Sequence, residues 1–286
     1  MKFSVKHQMK FTYSKAVFLE PTYVRLRPRD DYSLKLESFE LEVDPSPAGR
    51  SEGQDLVGNQ ETLIWFNGSL SSLTVRARSQ VETLLSNPFN YLVVDPSTLK
   101  LPARYSVDNR LMLTPYLFRA QPDKGIEDLA QTLLHESDDN TLNFLYHATD
   151  YISREFSKII RVQGDALSPN QTLRRKEGAC RDLAVLFMDI CRSLGLAARF
   201  VSGYKFDPEA VDAHELHAWA EVYLPGAGWR GYDPSWGLAV ADHHIPLAAG
   251  PTPQEAMPVS GNFRGSDVLS NLDYSVEIEN LEVAKR

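Results

Sequence analysis

The sequence predicts an α+β protein: a β-rich N-terminal domain followed by a core in which helices pack on an antiparallel sheet. Three observations carry that reading. Before about residue 95, apolar and polar residues alternate in short runs, the period of half-buried antiparallel strands. Behind Cys180, the apolar residues Leu183, Leu186, Phe187, Ile190 and Leu194 recur at helical spacing. From His217 to Leu224 the alternation returns, and a Pro-Gly-Ala-Gly turn follows it as in a hairpin.

The N-terminal elements follow from that period. Residues 23–27, 34–37, 39–43, 62–66 and 73–78 read as strands of a sandwich or small barrel. Residues 44–51, rich in Pro, Ser and Gly, read as a loop. No acid–base pair or nucleophile set stands out there. Residues 1–95 are taken as this domain. Pro96, Pro102, Pro115 and Pro122 mark residues 96–124 as an extended connector. Residues 125–286 form the core.

Within the core, residues 126–136 read as a short helix. A longer one runs to Phe156, capped by Asp139 or Asn140, with Leu142, Leu145, Tyr146, Thr149, Ile152 and Phe156 as its apolar set. A helical turn at 173–176 leads to the helix behind Cys180, which Gly195 ends. Residues 197–204 are a strand. Two tail strands, 243–248 and 274–278, are expected to complete the core sheet.

The bulk numbers exclude several classes. A chain of 286 residues with 43% hydrophobic and 24% charged residues can bury a sizeable core. A formal net charge of −8 argues against nucleic acid as a partner, which a basic face would recognise. No apolar run approaches the roughly 18 residues of a membrane span. Residues 1–7 lack the apolar stretch of a signal peptide, so no membrane partner and a cytoplasmic location are expected. The oligomeric state is left unknown. Cys180 and Cys191 sit on one helix about 16 Å apart along its axis. A disulfide needs Cα atoms within about 7 Å, so Cys191 is read as a core thiol.

Cys180 is the residue with chemistry. It falls in the first turn of its helix, where unpaired N–H groups and the helix dipole favour negative charge. A thiol there ionises more readily than a free one at about 8.5, and the thiolate is the nucleophile. A histidine on a strand, His217, and an aspartate on the next strand, Asp233, follow in chain order. A Cys-His-Asp triad can be built in that order. Strand register tests the pairing. A four-residue loop pairs Leu224 with Trp229 and puts Asp233 on the wrong face. One more residue pairs Tyr223 with Trp229, sets Asp233 opposite Trp219 and brings His217 onto its face, about 7–8 Å away on a diagonal. A five-residue loop or a bulge is therefore predicted. Along 217–224, Ala218, Ala220, Val222 and Leu224 face the helix. His217, Trp219, Glu221 and Tyr223 face the other way, toward the cleft.

Four ordered stretches carry a family likeness: Gly178 to Ala184, Arg199 to Tyr204, His217 to Tyr223, and Gly228 to Pro234. Together they resemble the bacterial transglutaminase-like superfamily of papain-like thiol enzymes. The region before residue 95 is similar to the β-rich region that precedes that core in bacterial members. The resemblance implies a papain-like transglutaminase core, with Cys180 as nucleophile, His217 as its base and Asp233 as the group that orients the imidazole. The Cys180 N–H would form half of an oxyanion hole, with the second donor sought between Gln163 and Gln171. His214 competes with His217, but His-Ala-Trp at 217–219 fits the family pattern. Trp219 and Trp236 are cleft-lining candidates or core aromatics. Arg181 and Asp182 belong to the motif, yet capping and a local ion pair explain them equally well.

Neither a metal nor a cofactor is expected. His214-Glu215-Leu216-His217 lacks the H-E-x-x-H spacing of a zinc protease helix, and His243 and His244 would point to opposite faces of a strand. The expected function is a thiol enzyme acting on peptide or amide bonds through a cysteinyl thioester, hydrolytic in outcome. Its partners would be a peptide or protein substrate and, in the alternative transglutaminase reading, a primary amine acceptor. A non-catalytic binding module and acyl transfer from a thioester donor are the other readings.

Overall fold

The computed structural model describes residues 1–162, 164–209 and 215–282. Its N-terminal region is two antiparallel sheets. The first is organised on an 18-residue strand, Lys2–Leu19, paired with Leu70–Thr83, which in turn pairs with Leu34–Asp44. The second joins Thr22–Val24, Gln60–Trp65, Gly49–Gln54 and, from the far end of the chain, Val259–Ser260. Phe3, Val5, Met9, Val17 and Leu19 are buried from one face of the long strand, while Lys6 and Lys10 are exposed. His7 breaks the apolar series. It is buried too, with Nδ1 2.9 Å from the Tyr204 hydroxyl, and burial pushes its pKa down to about 4, so it is neutral.

The second half is helices packed on a five-stranded sheet. The sheet order is Leu238–Ala239, Gly228–Asp233, Leu216–Leu224, Ala198–Lys205 and His244–Gly250, antiparallel throughout. The helix Cys180–Ser193 lies against this sheet and against the helices Lys124–His135, Thr141–Glu155 and Pro169–Arg175. Leu183, Leu186, Phe187, Ile190 and Leu194 are buried, as the spacing predicts, and so are Ala184, Met188 and Cys191. Ala218, Ala220, Val222 and Leu224 meet it in one core. Small side chains on that strand let the helix approach closely. The helix ends at Gly195, whose φ of +77° is strained for any residue with a Cβ.

Three expectations are corrected. The segment between the two halves is not simply extended. It holds a 3₁₀ turn, Pro96–Thr98, and a helix, Val107–Leu117, capped by the Ser106 side chain, with Pro115 inside its final turn. The helix Thr141–Glu155 starts from its Asn140 cap as predicted, and Leu145, Thr149, Ile152 and Phe156 are buried, but the rest of its buried face differs from the predicted set. Phe144 and Ala148 are in the core, and Tyr146 is 62% exposed. The third correction concerns the tail. His244–Gly250 does join the core sheet, beside Ala198–Lys205. Ser270–Asn280 does not. It pairs with Lys2–Leu19 from Phe3↔Asn280 to Tyr13↔Ser270, closing the N-terminal sheet over the edge that strand would otherwise expose. Val276 and Ile278 bury on that sheet's inner face. No helix among the described residues is long and apolar enough to cross a membrane.

The tail strand's contribution can be measured. Val276 is fully buried and Glu279, on the same strand, is exposed. Val276→Asp puts an unpaired carboxylate into the core and is expected to lower stability by about 3 kcal/mol or more. Glu279→Lys is expected to stay within about 0.5 kcal/mol. Urea midpoints of the two variants test the assignment; equal midpoints would show that this strand is not docked.

Candidate active site

Gly178 brings the chain into the Cys180 helix. A Cβ there would sit 2.9 Å from Cβ of Asp182 and 3.3 Å from Thr172, so only glycine allows this close turn. Asp182, fully buried, holds the turn together. One oxygen accepts from the Ala179 N–H at 2.8 Å; the other accepts from Leu167 N–H at 2.8 Å and from the Arg161 guanidinium at 2.6 Å. Its charge is therefore occupied in capping the helix rather than facing the thiol. Arg181 donates to the Arg161 carbonyl at 2.6 Å, tying the same loop to the helix. Cys180, half-buried, sits at the tip. As a first-turn residue its N–H has no acceptor within the helix.

The hairpin Leu216–Leu224 to Gly228–Asp233 has the expected pairing, Tyr223 with Trp229 and Ala220 with Tyr232, but not the expected five-residue loop or bulge: Leu224 also pairs with Gly228, so the turn is closed by residues 225–227. His217 and Asp233 thereby share a face. The His217 Nε2–H donates to Asp233 Oδ2 at 2.7 Å. That leaves Nδ1 for Cys180, with which the ring shares a side-chain hydrogen bond. Sulfur, imidazole and carboxylate form one continuous chain.

Sequence reasoning missed His244. Its Nε2–H donates to the same carboxylate oxygen at 3.1 Å. The other Asp233 oxygen accepts from the backbone N–H and the hydroxyl of Ser235, at 3.0 and 2.7 Å. The adjacent pair His243-His244 was the signal, but alternation along one strand cannot say that the strand lies next to His217. The facing atoms of His217, Asp233 and His244 lie within 4.8 Å of one another, a spacing that could admit a metal ion. The 2.7 Å contact is nevertheless a hydrogen-bond length, shorter than the roughly 3.3 Å between ligands around a tetrahedral zinc. His214, the first residue of the H-E-x-H stretch, lies outside the described residues, as does Gln163.

The charges reinforce one another. Burial disfavours an ionised Asp233, but the His217 charge and the hydrogen bonds from His217 and His244 outweigh it and hold the carboxyl far below its usual range. Burial likewise opposes protonation of His217. The Asp233 charge and hydrogen bond, with Cys180 adding, push that ring up to about 10. On Cys180 burial is the largest influence and raises the thiol. The hydrogen bond and charge of His217, helped by a hydrogen bond from the Ala218 backbone, reverse it, and the thiol falls below its ordinary value. His244 is different. Burial lowers its pKa despite Asp233, so it is a neutral donor that orients the carboxylate. The remote Cys191 thiol is pushed up by burial alone.

A cleft of about 240 Å³ opens over Cys180 and His217. Trp236, 40% exposed, lines it. Trp219 does not: it is fully buried against Val201 and Ala249, with its ring 5.2 Å from that of His244. Of the strand face expected to line the cleft, only His217 reaches it. Glu221 pairs with Arg199, and Tyr223 packs edge-on to Trp229. Gly203, opposite His217, explains the fit. A Cβ there would lie 2.3 Å from the Ile245 carbonyl and 2.6 Å from the Trp219 ring. Tyr274, from the tail strand of the N-terminal sheet, is a lining residue that the sequence did not suggest. Burial raises its hydroxyl pKa, with Glu215 and Cys180 adding. In the segment expected to supply a second oxyanion donor, Leu167 and Ser168 spend their N–H groups on Asp182 and the Gln171 side chain.

Residues 127–234 match the transglutaminase-like superfamily core, and residues 3–82 match the bacterial transglutaminase-like N-terminal region. The chain carries a transglutaminase-like core. It is 25% identical over 293 residues to uncharacterized proteins of Mycobacterium tuberculosis and Mycobacterium bovis, covering 97% of this chain and 92% of theirs. A crystal structure from Cytophaga hutchinsonii, named "Putative Cysteine Protease", superposes with a TM-score of 0.68 at 18% identity, over 98% of both chains. At that identity the likeness is one of fold.

Two changes probe the site of this transglutaminase-like core. Asp233→Asn removes the charge that holds His217 protonated. The ring's pKa falls, Cys180 loses its cationic neighbour, and the thiol pKa rises. The acid limb of the pH–rate profile for Cys180 alkylation should move to higher pH, and the rate at pH 6 should fall roughly tenfold for each pH unit that the limb moves. An unmoved profile would mean that Asp233 does not act on the thiol. Gly203→Ala forces Trp219 or the His244 strand to shift. It is expected to cost about 1–3 kcal/mol in a urea titration, and a neutral result would contradict the packing described.

Proposed function

We propose that this protein is a thiol enzyme that cleaves peptide or amide bonds through a cysteinyl thioester. The observation that carries the reading is the continuous chain from Cys180 through His217 to Asp233 at the floor of an open cleft. In the reaction the Cys180 thiolate attacks the amide carbonyl, and the Cys180 N–H helps bind the oxyanion. The carbon–nitrogen bond breaks as the His217 imidazolium gives its proton to the leaving amine. Water, deprotonated by the now neutral His217, then attacks the thioester and releases the acid and the thiol. Asp233 keeps Nδ1 of the ring turned to the sulfur and stabilises the imidazolium. The peptide or protein substrate lies along the cleft past Trp236.

Hydrolysis is favoured over amine transfer because the cleft is small, open to solvent and flanked by lysine ammonium groups, which do not attract a second protonated amine. Mass spectrometry of Cys180 after exposure to a peptide library, with and without an added primary amine, tests both steps. An acyl adduct on Cys180 that water resolves, unaffected by the amine, is expected. Products that incorporate the amine would establish transfer instead. A wild-type protein that forms no adduct, and whose Cys180 reacts with iodoacetamide at pH 6 no faster than glutathione, would leave only a binding role.

A further inference from the structure

Two lysines line the cleft and share one indole. Lys158 lies on the short strand Ser157–Lys158, opposite Gly178, on the wall that leads into Cys180. Lys205 ends the strand Ala198–Lys205, next to the strand that carries His217. Both reach the indole of Trp236, which is positioned by the turn that follows Asp233. The Lys158 ammonium is 4.1 Å from the indole centroid and the Lys205 ammonium 3.6 Å. Both distances run to one point, so the two nitrogens are no more than about 8 Å apart.

Asp207 and Glu215 also line the cleft, yet among the described residues no carboxylate lies within ion-pairing distance of either lysine. Burial lowers the Lys205 pKa, which Asp207 and Asp233 only partly oppose. Two like charges held by one ring, with no carboxylate in ion-pairing contact among the described residues, draw an anion into the cleft in a protein of net charge −8. A carboxylate is the anion that suits such a pair, because its two oxygens can each accept from one ammonium group.

We propose that Lys158, Lys205 and Trp236 form a carboxylate-binding subsite, and that the substrate of Cys180 is a peptide with a carboxylate beside the bond attacked. The carboxylate comes from an acidic side chain or from a free C-terminus. The proposal rests on the thiol-enzyme reading above, because it places the subsite on the substrate of that thiol.

Paired alkylating agents test it. Iodoacetate and iodoacetamide react with the same thiolate and differ in carrying a carboxylate or an amide. The ratio of their rates at Cys180 is expected to be at least about tenfold higher than their ratio at glutathione. It should fall toward the glutathione value in Lys158→Gln/Lys205→Gln, and in the unmodified protein as salt rises from 0.02 to about 0.5 M. A Cys180 that reacts rapidly with iodoacetamide but shows the glutathione ratio overturns the subsite and spares the enzyme. A Cys180 no more reactive than glutathione toward iodoacetamide overturns the enzyme reading first. Protection of Cys180 by short peptides separates the two sources: one with an internal Glu and an amidated end, one without Glu and with a free C-terminus, and one with neither carboxylate. Protection by either of the first two but not the third supports the subsite and names the source. Equal protection by all three overturns it.

Discussion

One fully buried carboxylate organises the site. Taking Asp233 out of water costs several kcal/mol unless its lone pairs are met. They are met by two imidazoles, a backbone N–H and a hydroxyl. Each donor comes from a different part of the fold: His217 from the neighbouring strand, His244 from the far edge of the sheet, and Ser235 from the turn that follows. The arrangement holds only if the hairpin register is correct, the strand His244–Gly250 has docked and the turn has closed. Local geometry at the thiol is thus a readout of the whole sheet, and a fault in any of these elements would be felt first as an unsatisfied charge.

Much of this was legible in the sequence because it depends on periods. The helix behind Cys180 and the small-residue face of the strand that meets it follow from spacing alone, and steric limits decide the rest. The hairpin register could be argued from two facts: side chains alternate, and His217 and Asp233 must meet. The pairing of Tyr223 with Trp229 is the one the structure adopts, reached by a tighter turn than the five-residue loop expected, because the same register also lets Leu224 pair with Gly228. What spacing could not give is which strand lies next to which. His244 was visible as a residue but not as a neighbour of Asp233, because five-strand order is set by packing across the sheet. The same blindness turned Trp219 into a cleft candidate. Its face of the strand is outward by alternation, but Val201, Val240 and the His244–Gly250 strand cover it.

The tail strand shows a second limit. An amphipathic run such as 270–280 needs an apolar face to bury and an edge to pair with, and two sheets offered edges. The core sheet already had Leu238–Ala239 on one side and His244–Gly250 on the other. The long first strand had a free side over eleven residues, and pairing there satisfies many more backbone groups. Sequence proximity favoured the wrong sheet, and hydrogen-bond supply decided for the right one.

That docking has a consequence for the site. Tyr274 rides on the tail strand and forms one wall of the cleft, so the thiol's surroundings include a residue fixed by the N-terminal sheet. A second tie lies beneath. His7, in the middle of the long first strand, meets the Tyr204 hydroxyl in a buried contact, and Tyr204, Ile245 and Leu247 of the core sheet share a hydrophobic cluster with Phe3, Val5 and Val276. Tyr204 sits one residue before Lys205 and opposite Leu216, at the end of the sheet where the His217 strand begins. The β-rich half is therefore part of the scaffold that holds one wall of the cleft and the base of another. A change in its core would reach the imidazole through packed side chains and one sheet, without touching any residue of the triad.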